Sequence, residues 1–174
     1  MSHAFPAAVA ATTEFSSQQF RQALGQFATG VTVVTARSAA GERVGLTVSS
    51  FNSVSLEPPL VLWSLNRTSH SMTAFDKVTH YAIHVLGADQ QALGERFAGP
   101  RDLRWGHLTH SWSAEGSPLL PGCLAVFECV DHSRHEAGDH VIFVGRVMRC
   151  TGESSQPPLL YHGGQFHPGL ASPR

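Results

Sequence analysis

The order of apolar and polar positions predicts a chain built mostly of short strands. Phe20, Leu24 and Phe27 recur at helical spacing behind Ser16 and Ser17, either of which can cap a helix that Gly30 ends. The β-branched run from Val31 to Ala36 then reads as a strand, Ala39–Gly41 as a turn, and Val44 to Phe51 as the second strand of an antiparallel hairpin. Pro58 and Pro59 break pairing and lead into a strand over 60–65. Ser69 is placed to cap a short helix through Asp76, and a strand follows over 81–86. Asp89 is placed to cap a helix ending at Phe97. The stretch from Gly99 to Pro121 has no readable period. Two long strands, 124–131 and 140–150, flank a polar, His-rich loop, and 159–161 forms one more short strand. Strands that follow one another without helical crossovers argue for an antiparallel barrel or sandwich rather than a doubly wound sheet.

A length of 174 residues with no internal repeat fits one domain, expected over 15–166 between a disordered tail at 1–14 and a C-terminal tail at 167–174. A formal net charge of −1 gives no electrostatic case for nucleic acid or an anionic membrane. No apolar run is long enough to span a bilayer, and the N-terminus lacks the pattern of a secretory signal. Cys123, Cys129 and Cys150, odd in number and widely spaced, fit reduced thiols in a cytoplasm. Low charge, 14% of residues, suggests surface buried in an oligomer.

The chemistry-bearing patterns are few. There is no Gly-rich dinucleotide fingerprint, no phosphate loop and no nucleophile elbow. His132, His135 and His140 cluster, as do His107 and His110, but not at metal-ligand spacing, so no metal is expected. The densest polar feature is the row from Thr47 to Ser55. Hydroxyls at near-alternate positions suit the polar edge and phosphate of a flavin, and equally suit a solvent-facing strand, which on residues alone is the commoner case. Asn66-Arg67-Thr68-Ser69, where a helix should begin, reads either as an anion clamp or as an ordinary cap. Gly138-Asp139-His140 reads as a tight turn that either presents an imidazole over a pocket or leaves it exposed.

In order along the chain, Gly30-Val31-Thr32-Val33-Val34-Thr35, the block from Thr47 to Val61, Gly138-Asp139-His140 and Gly145-Arg146-Val147 resemble the short-chain flavin reductases, the reductase components of two-component flavin-dependent monooxygenases. The resemblance runs from about Phe20 to Phe166 and is most specific in Ser49-Ser50-Phe51-Asn52-Ser53-Val54-Ser55-Leu56-Glu57-Pro58-Pro59-Leu60-Val61. It implies a mainly β fold with short helices, an antiparallel Greek-key split β-barrel. It also implies a homodimer with flavin, FMN or FAD, near the subunit interface. Thr32, Thr47, Val48, Ser49, Ser50 and Ser53 are implied to lie along the flavin. Ser64, Leu65, Asn66 and Ser69 are implied around its ribityl and phosphate, with Phe97 and Ala98 nearby. His140 matches the histidine close to the nicotinamide.

The activity implied is hydride transfer from NADH or NADPH to flavin, with reduced flavin passed to a separate monooxygenase. Such a reaction relies on proximity and orientation, with N–H groups and hydroxyls from Thr47 to Ser50 offsetting charge on the flavin's pyrimidine edge. It needs no general base, which agrees with the lack of an obvious acid–base pair. NADH is favoured over NADPH because no basic cluster is available for a 2′-phosphate. The competing readings are a flavin oxidase on the same barrel, a non-catalytic flavin carrier, and a metal-dependent enzyme using the histidine loops.

Overall fold

The computed structural model describes residues 14–152 and 156–169. The tails expected at 1–14 and 167–174 therefore fall mostly outside the described residues. A first helix, α1 (Ser17–Leu24), is closed by a capping box in which Ser16 Oγ accepts from Gln19 N–H and Gln19 Oε1 accepts from Ser16 N–H. The apolar stripe expected on this helix is present but faces outward: Phe20, Leu24 and, past its end, Phe27 are half or more exposed, and α1 buries no residue within its own chain.

The short β1 (Thr29–Gly30) precedes the hairpin of β2 (Thr32–Arg37) and β3 (Arg43–Val48). The strand expected to continue to Phe51 instead stops at Val48, and the chain re-enters as β4 (Asn52–Ser55), followed by β5 (Leu60–Asn66). The helix expected from Ser69 is only the single turn α2 (Met72–Phe75). Ser69 starts the bend leading into it, its Oγ accepting from Ser71 N–H at 3.2 Å. After β6 (His80–Val85), a 3₁₀ turn at Ala88–Gln90 leads into α3 (Gln91–Ala98). Asp89 lies inside that turn and is not a cap. The N–H of Gly87 is met by the Gln90 side chain.

The unplaced stretch 99–121 folds into a 3₁₀ turn and a small ladder of β7 (Ser111–Trp112) and β8 (Pro118–Leu119). The His-rich loop is no loop. β9 (Ala125–Ala137) and β10 (His140–Gly152) pair along their full length around a two-residue turn. Gly138 at φ 62 with no positive φ at Asp139 is the pattern of a II′ hairpin, which matches strand twist and lets the ladder run to its tip. The ribbon's polar residues reflect exposed faces rather than irregular backbone. A last hairpin, β11 (Leu159–His162) and β12 (Gln165–Pro168), turns on Gly163-Gly164, both at positive φ, and carries the ordered chain past the expected boundary at 166.

Seven strands form one antiparallel sheet in the order β3-β2-β6-β9-β10-β5-β4, and β1-β11-β12 form a second. The larger sheet curls until its edges meet. At the seam, Ser50 Oγ accepts from Ser64 N–H at 2.9 Å and donates to Ser64 C=O at 3.1 Å, so one hydroxyl stands in for a ladder rung. This is the split barrel expected. Inside it Trp63 stacks on Phe143 (4.5 Å, 11°) and meets Phe75 and Tyr81 edge-on. A second cluster of Val31, Val33, Leu86, Phe97, Trp105, Leu120 and Leu159 lies outside the barrel wall. Both faces of β2 are thereby covered, and Thr32 to Ala36 are all buried.

Candidate functional site

The end of β3 opens into a cleft of about 320 Å³ lined by Val31, Thr47, Val48, Ser49, Ala98, Tyr161, Gly164 and Phe166. Each wall has a separate structural origin. Thr47 faces α3, where its Oγ1 donates to Gly94 C=O at 2.7 Å and ties that helix to the strand. This close approach needs Gly45 one pleat earlier, because a Cβ there would stand 2.7 Å from Phe97 and 3.2 Å from Trp105. Phe97 is fully buried beneath the cleft, and its neighbour Ala98 reaches the surface. The β11–β12 hairpin supplies the opposite wall, with Tyr161 and Phe166 in edge-on contact at 5.3 Å. Ser49 is exposed at the rim, and its hydroxyl has no hydrogen-bond partner among the described residues.

From this rim a line of polar groups follows the seam. Ser50 bonds Ser64, two residues along β5 stands Asn66, and His140 on β10 is paired directly opposite Asn66. Side chains at paired positions share a face, so Ser64, Asn66 and His140 lie together within about 7 Å of strand length. Asn66 Oδ1 accepts from Thr68 N–H (2.8 Å) and from Thr68 Oγ1 (2.6 Å), while its amide reaches toward Asp139 at 3.5 Å. His140 Nδ1 lies 2.7 Å from Asp139 Oδ1, and this contact holds the Asp139 carboxyl below its ordinary range. With Nδ1 facing the carboxylate, Nε2 is the nitrogen left for a ligand.

The residues singled out in the sequence divide accordingly. Thr47, Val48, Ser49 and Ala98 meet at the cleft, and Ser50, Ser64, Asn66 and His140 extend from it. Ser69, half-buried, follows just beyond Asn66 and donates its N–H to Asn66 C=O. The others are placed differently. Thr32 is buried with its hydroxyl on Val48 C=O at 3.1 Å. Leu65 points into the barrel core, Phe97 lies in the outer cluster, and Ser53 is exposed beside Val61, toward the far end of β5. The row of hydroxyls is thus less available than its pattern suggests, since Thr32, Thr47 and Ser50 donate to backbone carbonyls. The anion clamp at Asn66–Ser69 also fails as a helix terminus. A four-residue helix beginning at Met72 has little dipole, and Arg67 pairs with Glu136 at 3.4 Å. Val31, Tyr161, Gly164 and Phe166 were not anticipated. The Gly163-Gly164 dipeptide, with Tyr161 and Phe166 each one residue further out, was the hairpin signal that points to the last wall. Among the described residues no group of three His, Cys, Asp or Glu is arranged to hold a metal.

Comparison with known proteins agrees with this geometry. Residues 24–170 match the family described as Flavin reductase like domain. The chain is 49% identical over 155 residues to the FMN reductase (NADH) SmoA of Agrobacterium fabrum, covering 87% of this chain and 85% of that protein. It is 38% identical to the reductase subunit HsaB of a flavin-dependent monooxygenase from Rhodococcus jostii, over 86% of this chain and 76% of that one. Among solved structures, the NADH:FAD oxidoreductase SgcE6 of Streptomyces globisporus, in complex with NAD and FAD fragments, superimposes with a TM-score of 0.82 at 35% identity, over 88% of this chain and 92% of its own. The match to the family profile spans most of the chain and the fold is shared over nearly its whole length, so this protein belongs to the flavin reductase-like family.

Proposed function

We propose that this chain catalyses hydride transfer from NADH to FMN and releases reduced flavin to a separate monooxygenase component. The observation that carries the reading is the cleft beside Thr47–Ser49. One side is apolar (Val31, Tyr161, Phe166) and suits a flat ring, and the other presents a hydroxyl rim, so the residues present fit a flavin. NADH and FMN follow from the Agrobacterium relative at 49% identity, and the oxygenase partner from relatives that are monooxygenase reductase subunits. The oxidase and carrier readings find no support among these relatives.

When bound, the flavin supplies the ring that accepts the hydride. The protein's part is positional. Val31, Tyr161 and Phe166 bound the ring site and exclude water, while Thr47, Val48, Ser49 and Ala98 set its polar edge. Ser64, Asn66 and Ser69 continue toward the ribityl and phosphate. His140, oriented by Asp139, offers Nε2 to the nicotinamide carboxamide or ribose. Two finer assignments complete the proposal. The protein is a homodimer, supported by the outward apolar residues Phe20, Leu24, Phe27 and Leu56. It works in the cytoplasm, supported by three cysteines that are all free thiols.

The test is oxidation of NADH and NADPH by the purified protein with FMN, with FAD and without added flavin. Turnover that requires free flavin and is fastest with NADH and FMN is expected. Bound flavin without dinucleotide-driven turnover would overturn the reading. In His140→Ala the KM for dinucleotide rises several-fold while flavin affinity changes little, and the opposite pattern would remove the histidine from the nicotinamide side.

A further inference from the structure

A second, larger cleft of about 810 Å³ lies at the other end of the β2–β3 hairpin from Thr47. The strand length from Arg43 to Thr47, four residue rises, is about 13 Å. Its walls are two guanidinium–indole stacks. Arg37 lies over the ring of Trp112 at 5.6 Å, and Arg43 over Trp105 at 5.3 Å. The third arginine, Arg101, is neutralised by Glu42 at 3.0 Å, and Asp102 adds a second carboxylate to the lining, so the three arginines outnumber the acids by one. Arg37 and Arg43 are not neutralised. Among the described residues neither has a carboxylate partner, and Arg37 makes only a backbone contact, from Nε to Gly41 C=O at 3.3 Å.

Stacking on an indole holds a guanidinium in place without consuming its charge. Two such groups facing one cleft give fixed, unpaired forks next to flat aromatic surface. Trp112 is 47% exposed and so presents part of that surface to an entering molecule. A carboxylate is matched by the forks and a planar ring by the exposed Trp112 indole. A saturated acid lacks the second match, and a neutral aromatic lacks the first.

We infer that this cleft is a binding site for a small planar aromatic carboxylate, separate from the flavin cleft. Arg37 and Arg43 hold the carboxylate, and Trp112 holds the ring, while buried Trp105 backs Arg43 from within. The site does not depend on the flavin-reductase assignment, since every element of it lies on other residues.

The chain has three tryptophans, which makes the site directly observable. Trp63 is fully buried in the barrel and serves as an internal reference. Benzoate is titrated into ¹⁵N-labelled protein holding one equivalent of FMN, and the three indole N–H resonances are followed. Saturable shifts of Trp105 and Trp112 at about millimolar benzoate, with Trp63 unmoved, are expected. Benzamide and cyclohexanecarboxylate should bind at least five-fold more weakly. The Arg37→Gln/Arg43→Gln double variant should abolish the shifts while keeping NADH:FMN turnover. The assignment is overturned if the tryptophans do not respond. It is equally overturned if the double variant responds like the parent, or if the neutral or saturated analogues bind as well as benzoate. Loss of productive coupling to an oxygenase in the double variant, without any benzoate response in the parent, would mark the face as a protein-docking surface instead.

Discussion

His84 is completely buried and uses both ring nitrogens. Nδ1 donates to Val33 C=O at 3.0 Å, and Nε2 accepts from Leu120 N–H at 3.1 Å. A proton on Nε2 would set two donors against each other, and burial lowers the pKa to about 4 from 6.5. Because the folded chain refuses a proton that the unfolded chain takes, the stabilising contribution is complete above about pH 6.5 and is lost as pH falls toward 4. The full loss amounts to about 3 kcal/mol at most. Urea midpoints at pH 7, 6 and 5 should fall steadily, and the fall should be shallower in His84→Gln. Equal slopes would exclude His84 as the source. Gly45 makes a second residue-scale case. In Gly45→Ala the new methyl meets Phe97 and Trp105 in a packed cluster, and a loss of about 1–3 kcal/mol is expected by thermal denaturation. Flavin affinity should weaken with it, because α3 carries both Phe97 and the cleft residue Ala98.

At the scale of elements, the seam between β3 and β5 rests on one hydroxyl. Ser50→Ala removes both bonds to Ser64, and a cost of about 1–3 kcal/mol with faster exchange of the Ser64 amide is expected. Protection of that amide equal to the parent's would show that the seam closes without it. Ser50 also marks where sequence reasoning reached its limit. The Thr47–Ser55 block identified the correct region, because alternating hydroxyls are visible in one dimension. Which hydroxyls are already bonded depends on strands 14 residues apart, and that is not visible. The strands 32–37, 60–66 and 80–85 were legible from β-branched and apolar runs alone. The β9–β10 ribbon was legible over 124–131 and 140–150 but not over 132–137, where mostly exposed polar residues imitate a loop. The segment 99–121 was opaque for a related reason. Its anchors, Trp105 and Leu120, are isolated apolar residues that pack onto the outside of β2, and isolated contacts leave no periodicity. The cleft's far wall, Tyr161 and Phe166, was concealed by treating 159–161 as a lone strand.

For the molecule as a whole, the proposed homodimer rests on apolar surface that one barrel leaves uncovered. Phe15, Phe20, Leu24 and Phe27 are exposed by half or more, Leu56 by 91%, and Val54 and Met148 by about half. A monomer rarely leaves so many large apolar groups in water near one another in sequence. Sedimentation of the parent should give a dimer, and Phe20→Lys/Leu24→Lys should give a monomer of unchanged β-sheet signal. A monomeric parent would remove the homodimer from the proposed function. The same variant tests whether α1 persists alone, since the helix makes no buried contact inside its own chain and its capping box contributes only about 1 kcal/mol.

The two-residue turn at Gly138-Asp139 has a bearing on which changes this chain can accumulate. Side chains on a strand alternate faces, so His140 shares a face with Asn66 only while the count of residues from the ribbon's paired register is kept. One residue inserted or deleted between 137 and 140 either opens a bulge or turns the imidazole to the opposite side of the sheet. Point substitutions in the ribbon away from Gly138 and Asp139 are tolerable in a way that changes of length at the tip are not. Across descendants of this sequence the exposed ribbon should vary in spelling, while the tip keeps both its glycine and its letter count.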